Sequence, residues 1–205
     1  MKNNYLQLSA LLKKSTILIL WLGLLSVGIS SQAATDCNAV TEISPIECES
    51  LLELYNSTNG AGWKNNEGWN VTNTPCSWKG VTCENGGVTK IDLHYNQLTG
   101  AIPDFSALPN LQELRLHKNQ LTGAIPDFSA LPNLQELVLS RNQLTGAIPD
   151  FSALPNLKVL WLYSNQLTGA IPDFSALPKL YKLYLSNNQL TGQFGNSLTF
   201  SCHEE

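Results

Sequence analysis

No catalytic signature is written into the 205 residues. A GxSxG elbow, an HExxH pair, a phosphate-cradling GxxxxGK loop and a zinc-spaced CxxC pair are all missing, which leaves nucleophilic and metal-dependent hydrolysis without candidates. Basic charge is also scarce, with 12 Lys and Arg against 16 Asp and Glu. That balance argues against nucleic acid or anionic lipid as a general partner, because both are drawn to basic patches. Long apolar runs are limited to one. Lys2, Lys13 and Lys14 precede the uncharged stretch STILILWLGLLSVGIS, and Ser31-Gln32-Ala33 then offers small residues where a signal peptidase reads. Residues 1–33 are therefore expected to be a cleaved signal peptide, since this stretch falls short of the roughly 20 residues that span a bilayer. Cleavage removes three lysines and no acid, so 12 basic residues fall to 9 against 16 acidic ones, a net charge of −7. The expected mature chain is soluble, with no membrane span, and located outside the cell or at its surface, in the periplasm or beyond if the producer is bacterial.

Five cysteines follow the leader: Cys37, Cys48, Cys76, Cys83 and Cys202. Export makes disulfides the default reading. Five thiols admit about 15 ways of forming two bridges. Proximity in sequence favours Cys37 with Cys48 and Cys76 with Cys83, leaving Cys202 free or paired between chains.

What the chain has in abundance is repetition. NQLTGAIPDFSALP occurs four times without a difference, beginning at Asn96, Asn119, Asn142 and Asn165, with starts 23 residues apart. A fixed period of about 20 to 30 residues marks a stacked solenoid. Five units are expected, over 88–110, 111–133, 134–156, 157–179 and 180–202, followed by a tail at 203–205. Segments such as ELRLH and VLWLY alternate with period two, as a strand with leucines on one face does. Leu111, Leu114, Leu116 and Leu121 should stack on their counterparts in the next unit, so that no unit buries its apolar face alone. Asn96, Asn119, Asn142, Asn165 and Asn188 recur where the chain leaves the strand, and their amides are expected to form an internal ladder satisfying turn backbone. The two prolines of IPDFSALP bracket a segment too short for more than one helical turn. Phe105, Phe128, Phe151 and Phe174 should fill the layer beneath it.

The unit LxxLxLxxNxLTGxIPxx(F/L)xxLxx resembles the plant-type leucine-rich repeat, from Val88 to about Cys202. LLELYNSTNGAGW and CSWKGVTC, the latter close to a CxWxGVxC pattern, resemble that family's N-terminal cap, here 34–87. The resemblance implies an α/β repeat solenoid: a curved stack with a parallel sheet on its concave face, a second sheet on the flank, short 3-10 turns on the convex face and a helical cap. It also implies an extracellular scaffold for proteins, peptides or cell-wall sugars, without catalysis. The cap reads the same way from its own residues. Ser44-Pro45-Ile46-Glu47 has capping-box spacing with proline at the first helical position. Cys48, Leu51, Leu52 and Tyr55 are expected on one helical face, with Asn59-Gly60 as the stop. Trp63, Trp69 and Trp78 should help that face cover the open end of the stack.

Between the invariant blocks lie VTKIDLHY, LQELRLHK, LQELVLSR, LKVLWLYS and LYKLYLSN. The leucines keep their places, so variation falls on residues expected to point onto the inner face. One row reads Asp92, Arg115, Val138, Trp161 and Tyr184; the next reads His94, His117, Ser140, Tyr163 and Ser186. The cap end is charged and the far end aromatic. Trp161, Tyr163, Tyr181 and Tyr184 are the candidate ligand-binding patch, with Arg115 and His117 towards the cap, since exposed aromatic clusters dominate binding hot spots. His94 and His117, near Asp92 and Glu113, could suggest a metal or acid/base pair, but an open surface lacks the pocket and supporting shell such chemistry needs. No cofactor, metal or enzymatic activity is expected. The leading expectation is a secreted module binding a protein or peptide. A glycan or cell-wall binder, an adhesin and a structural spacer are the alternatives. A monomer is expected, with a dimer through the last edge or Cys202 as its rival.

Overall fold

A computed structural model describes residues 34–192. Cleavage after Ala33, the fifth unit beyond residue 192, the tail 203–205 and any pairing of Cys202 lie outside the described residues. Five strands of the larger sheet follow the expected period of 23. In chain order the strands are β1 (Val81–Glu84), β2 (Gly87–Asp92), β3 (Thr99–Ala101), β4 (Glu113–Arg115), β5 (Gln120–Ala124), β6 (Glu136–Val138), β7 (Gln143–Ala147), β8 (Val159–Trp161), β9 (Gln166–Ala170), β10 (Lys182–Tyr184) and β11 (Gln189–Thr191). The larger sheet has the order β1-β2-β4-β6-β8-β10, and the flanking sheet has the order β11-β9-β7-β5-β3. Only β1 is antiparallel to its neighbour; it begins the larger sheet at the cap.

The two sheets differ in register. In the larger one Leu114 lies opposite Leu137 and Leu137 opposite Leu160, one full repeat on. In the flanking sheet Thr122 lies opposite Gln143 and Thr145 opposite Gln166, a step of 21 residues. A two-residue stagger leaves every side chain on its own face, because strand side chains alternate with period two. Leu121, Leu144 and Leu167 therefore stay buried while Thr122, Thr145 and Thr168 stay exposed.

Between the sheets runs a continuous spine in which Leu111, Leu114, Leu116 and Leu121 and their equivalents in the next two units are fully buried. Phe105, Phe128, Phe151 and Phe174 form the layer beneath, with the first two rings 6.4 Å apart and nearly parallel. The short 3-10 turns expected on the convex side take the form of two separate single turns. Leu108 N–H donates to Phe105 O at 2.8 Å and Leu111 N–H to Leu108 O at 3.0 Å. The intervening Pro109 has no N–H, so successive turns cannot join into a helix.

The asparagine ladder is present in every described coil. Asn142 accepts from Leu121 N–H at 3.1 Å and donates to Leu116 O at 3.0 Å and Leu139 O at 2.9 Å. Asn119, Asn165 and Asn188 repeat this arrangement. Asn96, with no coil before it, instead accepts from Asn65 N–H at 2.7 Å and donates to Asn65 O at 2.9 Å in the cap.

In the cap, α1 (Pro45–Ser57) starts with the complete capping box of Ser44 and Glu47 and ends before Asn59, which adopts a left-handed conformation. Glu47 also accepts from Val88 N–H at 3.1 Å, tying the helix start to β2. Disulfides join Cys37 to Cys48 and Cys76 to Cys83. The buried helical face differs from the expected one at one position: Cys48, Leu51 and Leu54 are fully buried, whereas Leu52 is only partly covered. Leu51 and Leu54 are three apart and face the stack, leaving Leu52 on the helix flank. Tyr55 turns towards Trp63 and Trp69, with ring centroids at 5.4 and 6.3 Å. Gly100 is where the first coil meets α1: its φ is +81°, and a Cβ there would run into the Ser57 carbonyl oxygen. No helix among the described residues is long and apolar enough to cross a membrane.

Replacing Asn142 with Ala removes four side-chain hydrogen bonds and leaves buried backbone unpaired, so urea denaturation should show a loss of about 2–4 kcal/mol. Asn133→Ala, on an exposed side chain bonded only to Pro109 O, is the matched control and should cost under about 0.5 kcal/mol.

Candidate recognition face

The larger sheet turns its leucines inward and the intervening residues outward. Leu160 and Leu162 are fully buried, while Trp161 and Tyr163 are half-exposed. Parallel strands in equal register, about 4.8 Å apart, bring Trp161 and Tyr184 together across β8 and β10. Their rings lie 5.4 Å apart, edge to face, and Tyr163 completes a triangle at 6.4 Å from each. Arg141 extends the cluster with its guanidinium 5.7 Å from the centre of the Tyr163 ring. Tyr181 stands apart from this triangle and is 62% exposed, with Lys182 Nζ 5.7 Å from its ring. The structure thus brings together three of the four predicted aromatics.

Two residues expected to be exposed on this face are not. Val138 and Ser140 are almost wholly buried, at 1% and 0%. Both are small beside the larger Arg115, His117, Trp161 and Tyr163 on the adjacent strands, so bulky neighbours close over them. The face is correspondingly rougher than two rows of exposed residues.

Towards the cap the charges pair with one another. Arg115 makes a two-pronged contact with Glu136, Nε to Oε1 at 3.0 Å and Nη2 to Oε2 at 2.7 Å, and its guanidinium also reaches Glu113 at 3.2 Å and Asp92 at 3.5 Å. Lys90 Nζ lies 2.9 Å from Glu113. The Glu136 hydrogen bond is the chief reason the Arg115 guanidinium is held above its ordinary pKa. Burial alone would raise the Asp92 carboxyl, but His94 and Arg115 outweigh it and hold the group below the usual value. His94 Nδ1 sits 2.6 Å from Asp92 Oδ1, and since an ionised carboxylate only accepts, the hydrogen belongs on Nδ1.

His94 and His117 are neighbours as expected, but their rings stack, 4.9 Å apart and 4° from parallel. No group of three or more His, Cys, Asp and Glu suited to hold a metal ion occurs among the described residues. Burial, followed by the charge of His94, holds the His117 imidazole below its ordinary pKa, against an opposing pull from Asp92.

Three polar atoms of this face are closed off from water and unpaired: His117 Nδ1, Ser140 Oγ and Trp161 Nε1. The contrast with the cap is direct, for Trp63, Trp69 and Trp78 each donate their indole N–H, to Thr58 O, Lys79 O and Thr72 Oγ1 at 2.8–2.9 Å. Sequence reasoning missed Arg141. Its signal was positional: the residue before each ladder asparagine, namely Tyr95, Lys118, Arg141, Ser164 and Asn187, is left-handed in every coil and carries a different side chain each time.

Comparison with known proteins gives matches along most of the described chain. Family models described as leucine rich repeat N-terminal domain, leucine rich repeats (2 copies) and leucine rich repeat match residues 47–84, 109–153 and 132–190. A probable leucine-rich repeat receptor-like protein kinase of Arabidopsis thaliana is 35% identical over 71 residues, 35% of this chain and 10% of its own length. The chain spans about a tenth of the length of the first curated relatives it matches. Among solved structures, the BIR2 ectodomain from Arabidopsis thaliana is similar with a TM-score of 0.66 and 34% identity, over 79% of this chain and 85% of that one. The plant peptide hormone receptor RGFR1 in complex with RGF2 gives 0.53 and 40% identity, over 57% of this chain and 19% of that one.

The lowered pKa of His117 sets a sign for acid pH. The folded state favours the neutral ring, so this contribution to stability is complete above about pH 6.5 and declines as pH falls below that value. An NMR titration should place the His117 midpoint below about 6.5, and His94→Gln should raise it. A midpoint at or above that value would contradict the geometry.

Proposed function

We propose, because this chain belongs to the leucine-rich repeat family, that it is a secreted or cell-surface recognition module that binds a protein or peptide and carries out no chemistry on it. Trp161, Tyr163 and Tyr184 form the centre of the contact, with Tyr181 and Arg141 at its border and His117 and Arg115 towards the cap. The observation that carries this reading is Trp161. It is the one tryptophan of four among the described residues whose indole N–H lacks a partner, and it sits on the face whose residues differ from coil to coil. A dry, unpaired donor costs about 1–3 kcal/mol, and a ligand carbonyl that turns the ring outward supplies the missing acceptor.

The pattern of variation supports the same face. Gln120, Thr122 and Ala124 are exposed on the flank, and all three are unchanged at Gln143, Thr145, Ala147 and again at Gln166, Thr168, Ala170. Over the same coils the series Arg115, Val138, Trp161, Tyr184 and the series His117, Ser140, Tyr163, Ser186 change at nearly every step. Drift after duplication would touch exposed positions of both faces alike. Arg115 takes part chiefly as a positioned neighbour, since its guanidinium is already engaged by Glu136, Glu113 and Asp92. That a similar structure is a plant peptide hormone receptor in complex with RGF2 is consistent with a peptide as the ligand class.

Panning a random peptide library against the purified protein, followed by calorimetry on the selected peptides, tests the reading. Trp161→Ala with Tyr184→Ala should weaken binding by at least about 30-fold, in line with aromatic hot spots worth 2 kcal/mol or more. Peptides that bind the double variant equally well would refute it, and glycan-array signal lost in the same variant would move the ligand class to sugars.

A further inference from the structure

Outside the aromatic cluster, the described surface has a notch of about 210 Å³ lined by Lys64, Tyr95, Gln97, Lys118, Asn119 and Gln120. It is built from segments far apart in sequence. Lys64 comes from the cap, where its own N–H donates to Asn96 O at 2.9 Å. Tyr95 and Lys118 are the left-handed rim residues of the first two coils, with φ of 52° and 56°. Each directly follows a member of the stacked pair His94 and His117, so the notch adjoins the recognition face. Lys64 Nζ lies 4.4 Å from the centre of the Tyr95 ring, which holds it over the opening.

The two ammonium groups have no acidic counterpart among the described residues. All ion pairs among the described residues involve Lys90, His94 or Arg115, and no carboxylate of the described residues lies within 4.0 Å of Lys64 or Lys118. This occurs on a chain whose acidic residues outnumber its basic ones, 16 to 12. Two like charges placed around one concavity repel each other, and an anion between them removes that repulsion. Gln97 and Gln120 add neutral amide donors at the rim. Arg141, over the Tyr163 ring, continues the line of cations towards the aromatic triangle, so an extended partner passing from one to the other meets positive charge along the way.

We propose that this notch is a carboxylate subsite: it takes an acidic side chain or the terminal carboxylate of a peptide whose remainder lies on the aromatic part of the face. The proposal rests on the peptide-binding reading for that remainder, but the notch itself is testable without it. The test uses hexaglutamate, with a free or an amidated C-terminus, titrated into the labelled protein while the amide signals of Tyr95, Gln97, Lys118 and Gln120 are followed. Hexaglutamine is the neutral control. The expected result is saturable shifts at these amides with hexaglutamate and none with hexaglutamine. Lys64→Gln with Lys118→Gln, both exposed and so compatible with the fold, should weaken binding about tenfold, and added salt should weaken it further.

Equal binding of the two hexaglutamates assigns the subsite to side-chain carboxylates, and a need for the free end assigns it to a terminus; either result supports the proposal. Shifts unchanged by the double lysine variant would overturn it, as would a response to polygalacturonate with none to hexaglutamate. Trp161→Ala should leave the hexaglutamate response intact. A selected peptide that loses affinity in the lysine variant but not in the Trp161 and Tyr184 double variant would refute the aromatic reading while sustaining the notch.

Discussion

A hydrogen-bonding constraint at one turn governs the whole stack. Where each strand of the larger sheet ends, the chain must leave the sheet while still packed against the coils on either side, and only part of its backbone there pairs with the next coil, as Lys118 N–H does with Ser140 O. One asparagine amide per coil takes up other groups, linking Leu116, Leu121 and Leu139 through Asn142 and repeating one coil later through Asn165. Leucine stacking alone is non-directional and would allow coils to slide. The amides fix their separation and rotation, and the larger sheet keeps a register of one full repeat while the flank shifts by two residues. The residue before each asparagine bears the cost of the turn, a left-handed backbone at Lys118, Arg141 and Ser164 with no glycine to ease it. That same backbone projects its side chain to the rim of the face. The geometry that secures the ladder therefore also supplies positions free to differ, and Tyr95, Lys118 and Arg141 occupy them.

The tryptophans show how one residue type serves opposite ends. In the cap, Trp69 is fully buried, meets Trp63 edge to face and Trp78 at a tilt, 5.0 Å from each, and donates its N–H. Nothing about it is left for a partner, and the open end of the stack is sealed against pairing. Trp161 has the same ring in a half-exposed setting with its N–H unpaired. Val138 and Ser140 beside it are small enough to let larger neighbours lean over them. Had either been bulky, the aromatic triangle would have been forced apart. The cap tryptophans satisfy their indole N–H groups, whereas the face keeps one unsatisfied.

Much of this was legible in the residues because repetition amplifies it. Five leucine frames, five asparagines and four phenylalanines make their roles readable, since each position is tested once per coil. The capping box and its stop at Asn59 were legible because both act within a few residues. What escaped depended on comparing neighbours in space. The helical period alone does not distinguish Leu52 from Leu54; contact with the stack does. Strand alternation places Val138 and Ser140 outward, and only the sizes of residues on adjacent strands explain their burial. The two-residue stagger of the flank leaves alternation unchanged and so no trace in the pattern. The notch joins Lys64 to Tyr95 and Lys118 through the docking of Asn96 on the cap, a contact spanning 31 residues in sequence.

The distribution of charge divides labour along the face. Near the cap, Lys90 and Arg115 pair with Asp92, Glu113 and Glu136 at distances from 2.7 to 4.0 Å, two cations against three carboxylates. An approaching charge would have to displace partners already in place, so the contribution of such a network is rigidity and rejection of mismatched charge. Lys64, Lys118 and Arg141 are not engaged in that way, and their field extends outward by roughly a Debye length, about 8 Å at physiological salt. In the proposed complex these cations would steer the approach of an acidic partner, whereas the apolar area of Trp161, Tyr163 and Tyr184 would slow its departure. With 16 acidic against 12 basic residues in the chain, a rim of cations would give such a partner one favoured direction of approach.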